Sequence, residues 1–385
     1  MLINKKSIIS FGLITCMLMP KIDLIPVPGY HQGLRYDDLI LLTGLIYILL
    51  QRKIFLHVFP GRKIYFVFYG IILAYGILSL YEFGFISIII GLRWLEYSIF
   101  FVLLSYSSLN SGHIRKFIVI YIFINSIVVI LQYYGLMGGI YSHGYQEAGG
   151  LIIGRVAGIT GGAWELSAVI SLFTVSLIYD KDLKYNKKII LIIISTILLY
   201  LSGTRTGMVA FVIVTMFALF QVYKFNFKII ILLISMSTLF IYNTRREYHR
   251  DIGDITLDGS VVIRLYHWYD KFILMDYYDY IWGKGLGFSG IYMDGMYVKI
   301  FLDMGIIGIL LFFAYYYIFL KSFKGIALVA VICSLSIDFF TASKIMFALY
   351  LSVYYLSLMS HKPFLGRLDK RWKQNYIPTQ RNENR

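Results

Sequence analysis

Long apolar runs recur along almost the whole chain, and they constrain the fold more than any other feature. A membrane-crossing helix needs about 20 mainly apolar residues. Candidate runs of roughly that length fall at 7–24, 37–51, 63–82, 84–106, 115–137, 162–179, 187–203, 206–223, 226–243, 298–320, 324–340 and 343–360. Only helices or closed barrels satisfy their backbone hydrogen bonds in lipid. Runs of this length and continuity predict an all-α polytopic membrane protein with about twelve transmembrane helices. The count falls to eleven if the first run, which contains Pro20, or the short second run does not cross. Hydrophobic residues make up 59% of the 385, well above a soluble domain. Aromatic residues, mostly Tyr and Phe, reach 18%, which suits the two membrane interfaces.

Charge orients the bundle. The net charge of +15 is spread in short clusters between oily runs, so nucleic acid is excluded as a partner. With the N-terminus inside, the cytoplasmic segments are 1–6, 51–63, 107–116, 180–188, 224–228, 321–324 and 361–385, and they hold 23 of the 36 Lys and Arg residues. That excess predicts cytoplasmic N- and C-termini by the positive-inside rule. Residues 1–360 then form one transmembrane domain and 361–385 a basic cytoplasmic tail. The opening Lys5 and Lys6 with a short apolar run have the outline of a signal peptide, and "LITC" that of a lipoprotein box. Thr15 occupies the position where a small residue is wanted, so an uncleaved first helix is expected.

On this map the outer face gathers unusual chemistry. "LYLSGTRTGMVAF" becomes a hairpin between the seventh and eighth runs and puts Arg205 at the outer surface, where cations are sparse. A Gly-rich outer loop, 138–161, carries Arg155. The largest loop, 244–297, lies before the tenth run and holds Arg245, Arg246 and Arg264. Within it Val261, Leu265, Trp268 and Phe272 recur at helical spacing, which predicts an amphipathic helix on the interface. Guanidinium binds phosphate and carboxylate in bidentate fashion and stays charged, so an anionic headgroup or a lipid pyrophosphate suits this face.

Each residue also has an ordinary reading. Arg205 is equally a snorkelling or helix-capping arginine, Arg155 a solvated loop residue, and Arg264 the polar side of a surface helix. "GKGLGFSG" reads as a plain loop, because no strand precedes it. Arg93 and Glu96, at i, i+3 inside the fourth run, read as a structural pair. Asp338 reads as a helix-end polar group. The histidines have no ligand spacing, and Cys16 and Cys333 sit apart in apolar runs, so neither a metal site nor a disulfide is expected.

Four stretches, taken in order, resemble the O-antigen polymerase and ligase superfamily (Wzy and WaaL). "GRVAGITGGAWELSA" looks like its Arg-x-x-Gly segment, and "LYLSGTRTGMVAF" like its Ser-Arg-Thr hairpin. "RLYHWYDKF" with "WGKGLGFSG" is similar to its Arg and Trp helix and Gly-x-Gly turn. "MDGMYVKIFLDMGIIGILLF" resembles the segment entering the next span, with Gly305 and Gly308 as a closing Gly-x-x-Gly. The likeness covers about 150 to 315. It implies a metal-independent glycosyltransferase without cofactor in the bacterial cytoplasmic membrane, acting on glycans carried by undecaprenyl pyrophosphate at the outer face. The product is O-antigen, capsule or exopolysaccharide. The implied partners are the lipid-linked oligosaccharide, membrane lipids, a chain-length regulator and a flippase.

Carried over residue by residue, Arg155, Arg205 and Arg264 become pyrophosphate and acceptor arginines. Ligases keep a His eleven positions before the first Gly of the Gly-x-x-Gly, where this chain has Asp294. That departure favours polymerase over ligase. It makes Asp294 a candidate base for the acceptor hydroxyl, beside its ordinary reading as the N-cap of the tenth span. A flippase or transporter for lipid-linked sugar is the alternative from another class. It predicts two related halves and charges deep in several spans, and only Arg93 and Glu96 stand deep in the sequence map.

Overall fold

The computed structural model describes residues 5–19, 23–25, 34–50, 70–80, 93, 96–137, 156–223, 235, 238, 259–290, 295–321, 323–335, 339 and 342–360. Among these, thirteen helices are present. They are α1 (Lys5–Leu18), α2 (Tyr36–Leu50), α3 (Gly70–Leu80), α4 (Ser98–Tyr106), α5 (Ser111–Tyr133), α6 (Ala163–Tyr179), α7 (Tyr185–Ser202) and α8 (Arg205–Tyr223). They continue as α9 (Gly259–Phe272), α10 (Asp279–Trp282), α11 (Met296–Leu320), α12 (Lys324–Ser334) and α13 (Ser343–Ser360). A small antiparallel pair, β1 (Asp23–Ile25) and β2 (Leu34–Arg35), closes the link from α1 to α2.

Helices cover at least part of eleven of the twelve apolar runs. In the ninth, 226–243, only Ser235 and Thr238 are described. By length and composition α5, α7 and Met296–Tyr317 of α11 can cross a membrane, and shorter apolar helices lie at α1, α3, α6, α8, α12 and α13. This is an all-α membrane protein in outline. Its center is α6, where every residue from Leu166 to Ile178 is buried. Phe173 meets Tyr121 of α5 edge to face at 5.2 Å. Such an all-round apolar helix belongs inside a bundle.

Local sequence sets the helix ends. The Asn110 side chain accepts from the His113 amide at 2.8 Å and caps α5. Gly203, in the left-handed region at φ 67°, ends α7, and only Thr204 separates it from α8. One helix departs from its sequence outline. The run at 298–320 is broken within α11 at Gly305, with φ 62° and ψ −159°.

Side-chain contacts give the helix directions and sort the helix ends into two groups. Tyr179 donates to Gln221 at 2.7 Å, so α6 and α8 run parallel. Gly325 at the start of α12 packs on Tyr179 and Val175 at the end of α6, so α12 runs antiparallel to both. Tyr355 donates to Asp180, which also pairs with Arg115 at 2.6 Å. The end of α13, the end of α6 and the start of α5 therefore meet. Ser10 and Ser108 are 2.9 Å apart, placing the start of α1 beside the link from α4 to α5. We call the end where α6 begins the upper end. The lower end gathers 107–116, 180–188 and 321–324, which the charge map also puts on one side.

Candidate functional site

The upper end is built from the four stretches singled out in the sequence. Gln132, near the end of α5, holds the loop that leads into α6. Its Nε2 donates to the Gly158 carbonyl at 3.1 Å, and its Oε1 accepts from the Gly158 amide at 2.9 Å. Asn125, two turns earlier, accepts from the Ile159 amide at 3.1 Å. Gly158 has φ 61°, and a Cβ there would lie 2.4 Å from Asn125 Oδ1. Fully buried Glu165 reaches back from the first turn of α6 to accept from the Gly161 amide at 2.6 Å. The contact reaches one residue past the N-cap Gly162 and places a carboxylate at the positive end of a helix dipole. The loop 156–162 is thus held at both ends, immediately after Arg155. Arg155 itself lies outside the described residues.

The α7–α8 hairpin meets this loop. A Cβ on Gly207 would fall 2.0 Å from Ser167 Oγ, so the first turns of α6 and α8 touch nearly backbone to backbone. Ser202 and Thr204 share a hydrogen bond at 3.0 Å across the turn. Arg205 is the first residue of α8. The sequence expectation of a hairpin at "SGTRTG" holds, and Arg205 opens α8 two residues before its close approach to α6 at Gly207. Free amides at a helix start favour anions.

The third stretch reaches the same end through α12. Its last turn lies at the upper end, where a Cβ on Gly295 would sit 3.3 Å from the Leu335 carbonyl and 3.2 Å from Trp268. Tyr297 donates to the Val331 carbonyl at 3.3 Å. The start of α11 at Met296, two residues after Asp294, is therefore beside α9, and the residue at its N-cap is Gly295 in place of the Asp294 expected from the sequence. Asp294, Arg245, Arg246 and Asp338 are outside the described residues. Arg264 is half-buried in α9, on the face shared with Trp268 and Lys271.

"GKGLGFSG" is a docking loop and more than a plain connection. The break at Gly305 frees the carbonyls of Leu302 and Asp303 from the α11 ladder. Lys284 and Gly285 fill the gap, their amides donating to those carbonyls at 2.9 and 3.0 Å. The buried Asp303 carboxylate accepts from the Ser289 amide at 2.8 Å and the Gly287 amide at 3.4 Å. Gly283 and Gly305 lie back to back, since a Cβ on Gly305 would be 2.7 Å from the Gly283 nitrogen. Asp303 was not singled out in the sequence, although a lone Asp in "IFLDMG" is visible there.

The predicted amphipathic helix forms as α9, but its apolar face has a different partner. Trp268 and Phe272 turn inward to join Met275, Phe288 and Leu302 in a core of their own. Leu265 stays exposed, and the side chain of Val261 is outside the described set.

A second charged cluster occupies the upper ends of α1, α2, α4 and α13. Arg93 pairs with Asp38 of α2 at 3.3 Å, a partner from another helix that the i, i+3 reading with Glu96 did not name. Lys344 is wholly buried and donates to the carbonyls of Cys16, Met17 at 3.2 Å and Met19 at 2.5 Å, closing the end of α1. Cys16 and Cys333 are free, buried thiols. The buried charges Asp37, Asp38, Glu165 and Lys344 all lie in the first turn of a helix that starts at this end.

No family model matches the chain, and no curated protein matches it.

Proposed function

We propose that this chain is a polysaccharide polymerase of the bacterial cytoplasmic membrane. It transfers a growing glycan from undecaprenyl pyrophosphate onto another lipid-linked repeat unit at the outer face. The observation that carries this reading is the convergence of the four motif stretches at one end of the bundle. They come from separate parts of the chain. The contacts of Gln132 with Gly158, of Gly207 with Ser167 and of Gly295 with Leu335 bring them to one side. The upper end is then the outer face, with twelve spans and both termini cytoplasmic. The same convergence weighs against a flippase, which needs charge near the bilayer middle.

In this reading the acceptor sugar hydroxyl attacks the anomeric carbon of the donor glycan. The new glycosidic bond forms as the bond to the pyrophosphate oxygen breaks, and lipid pyrophosphate leaves. Arg155, Arg205 and Arg264, with Arg245 and Arg246 near by in sequence, neutralise the charge that develops on it. Asp294 takes the proton of the hydroxyl. Two lipid-anchored substrates held side by side gain rate by proximity. The test is reconstitution in lipid nanodiscs with the lipid-linked repeat unit of the same host. A ladder of evenly spaced products, lost in Arg205→Ala, supports the polymerase. Movement of the repeat unit across a sealed bilayer with no ladder would make the protein a flippase.

A further inference from the structure

The inward turn of Trp268 and Phe272 leaves another flank of α9 uncovered. Leu265 and Tyr269 lie on it and Ile273 follows just past its end, 49%, 63% and 60% exposed. The turn into α10 adds Leu274 at 58% and Tyr278 at 75%, and α10 adds Trp282 at 56%. Soluble surfaces seldom gather so many large apolar groups, and a patch of this kind marks an interaction surface.

Its neighbours identify the occupant. The Ile281 carbonyl lies 2.3 Å from where a Cβ on Gly305 would be, so α10 sits on the break in α11. From that point Ile306, Leu310, Phe313 and Tyr317 continue down α11, exposed at helical spacing. This stripe is the exposed apolar side of α11 below its break, in a helix that by length and composition can cross a membrane. The patch on α9 and α10 therefore adjoins an exposed apolar stripe at the break in α11. Charges are interleaved with it, for Lys284 pairs with Asp279 at 3.0 Å and with Asp276 at 3.6 Å. Aromatic rings beside paired charges suit the headgroup level of a bilayer. Exposed Leu265, Ile273 and Leu274 suit acyl chains and offer little to a glycan.

We propose that 265–282 is a lipid-docking surface, seated at the headgroup level of the membrane. It fixes the depth of the Gly283–Gly305 joint and of the loop docked on Asp303. The proposal does not depend on the polymerase reading.

The test uses the full chain in nanodiscs. Cys16 and Cys333 are buried, so Tyr278→Cys and Tyr269→Cys variants take a nitroxide label at one exposed site each. Collisions with oxygen are expected to outnumber those with a water-soluble nickel complex at both sites. Labels open to the nickel complex as a free label is would place the surface in water and overturn the proposal. Labels shielded from both reagents would mean protein or glycan cover, and would also overturn it. The second measurement needs no cysteine variant. Lipids brominated high on the acyl chain should quench the wild-type fluorescence more than that of Trp282→Phe. Equal quenching in the two proteins would refute docking at Trp282.

Discussion

Gln132 and Gly158 exchange two hydrogen bonds, one in each direction, across 26 positions of sequence. Both residues are buried, and together they set where the chain leaves Arg155 and enters α6. A side-chain amide offers a donor and an acceptor side by side. The contact therefore fixes the path of the loop as well as its stability.

Gln132→Leu keeps the apolar volume and removes both bonds. It leaves a buried amide and a buried carbonyl unsatisfied, each costing about 1–3 kcal/mol. A clear drop in unfolding temperature in detergent is expected, and under the proposed polymerase function the product ladder is lost with it. Gln132→Glu keeps the acceptor for the Gly158 amide and should fall between wild type and Leu. An unfolding curve for Gln132→Leu that overlays wild type would remove the clamp from the account.

The contact between α6 and α8 makes a reciprocal prediction. Gly207→Ala sets a methyl 2.0 Å from Ser167 Oγ and 2.2 Å from Ser167 Cβ. Overpacking of that kind costs about 1–3 kcal/mol. Ser167→Gly removes both clashing atoms, so the double variant should regain most of the loss. Residues in contact show coupling of about 0.5–3 kcal/mol in a double-mutant cycle. Additive effects in unfolding measurements would mean that the two helices do not approach this closely.

Lys344 closes the C-terminal turn of α1 from the first turn of α13. Lys344→Met leaves those carbonyls and the Tyr36 hydroxyl without their donor. Each buried polar group left unsatisfied costs about 1–3 kcal/mol. The expected result is poor yield of folded protein and early unfolding in detergent, with α1 first to exchange its amide hydrogens. Wild-type exchange in residues 13–18 of the variant would sink this.

The helices were legible because hydropathy over 20 residues is a local property. The runs at 162–179, 187–203 and 343–360 match α6, α7 and α13 to within two residues. The break at Gly305 was hidden, since "FLDMGIIGILLF" is apolar on both sides of it. Its cause is the arrival of Gly283 from another segment, which no local window contains. The partner of Arg93 was hidden in the same way, because Asp38 is 55 positions distant. Asn125 and Gln132 were legible in principle, as two amides seven apart in an oily helix. Their target, the backbone at 158 and 159, was not. The inward turn of Trp268 and Phe272 depended on Met275, Phe288 and Leu302, so periodicity found the helix but not the core that takes these two rings.

Arg205→Lys separates binding chemistry from topology. Lysine keeps the charge and most of the length, so a residue that serves only to cap α8 or to reach the headgroups is replaced without loss. The helix start at 205 should survive, and the unfolding temperature should stay near wild type. Lysine presents a point charge in place of a planar fork, and it cannot hold two phosphate oxygens in the same geometry. If Arg205 grips the pyrophosphate as charge develops on it, turnover should fall by about 100-fold or more, the scale for removing one aimed donor. The fall should appear in kcat more than in KM, because the bond strengthens as the leaving group departs. Wild-type turnover in Arg205→Lys, with the product ladder intact, would return Arg205 to a helix-start cation and remove it from the proposed pyrophosphate site.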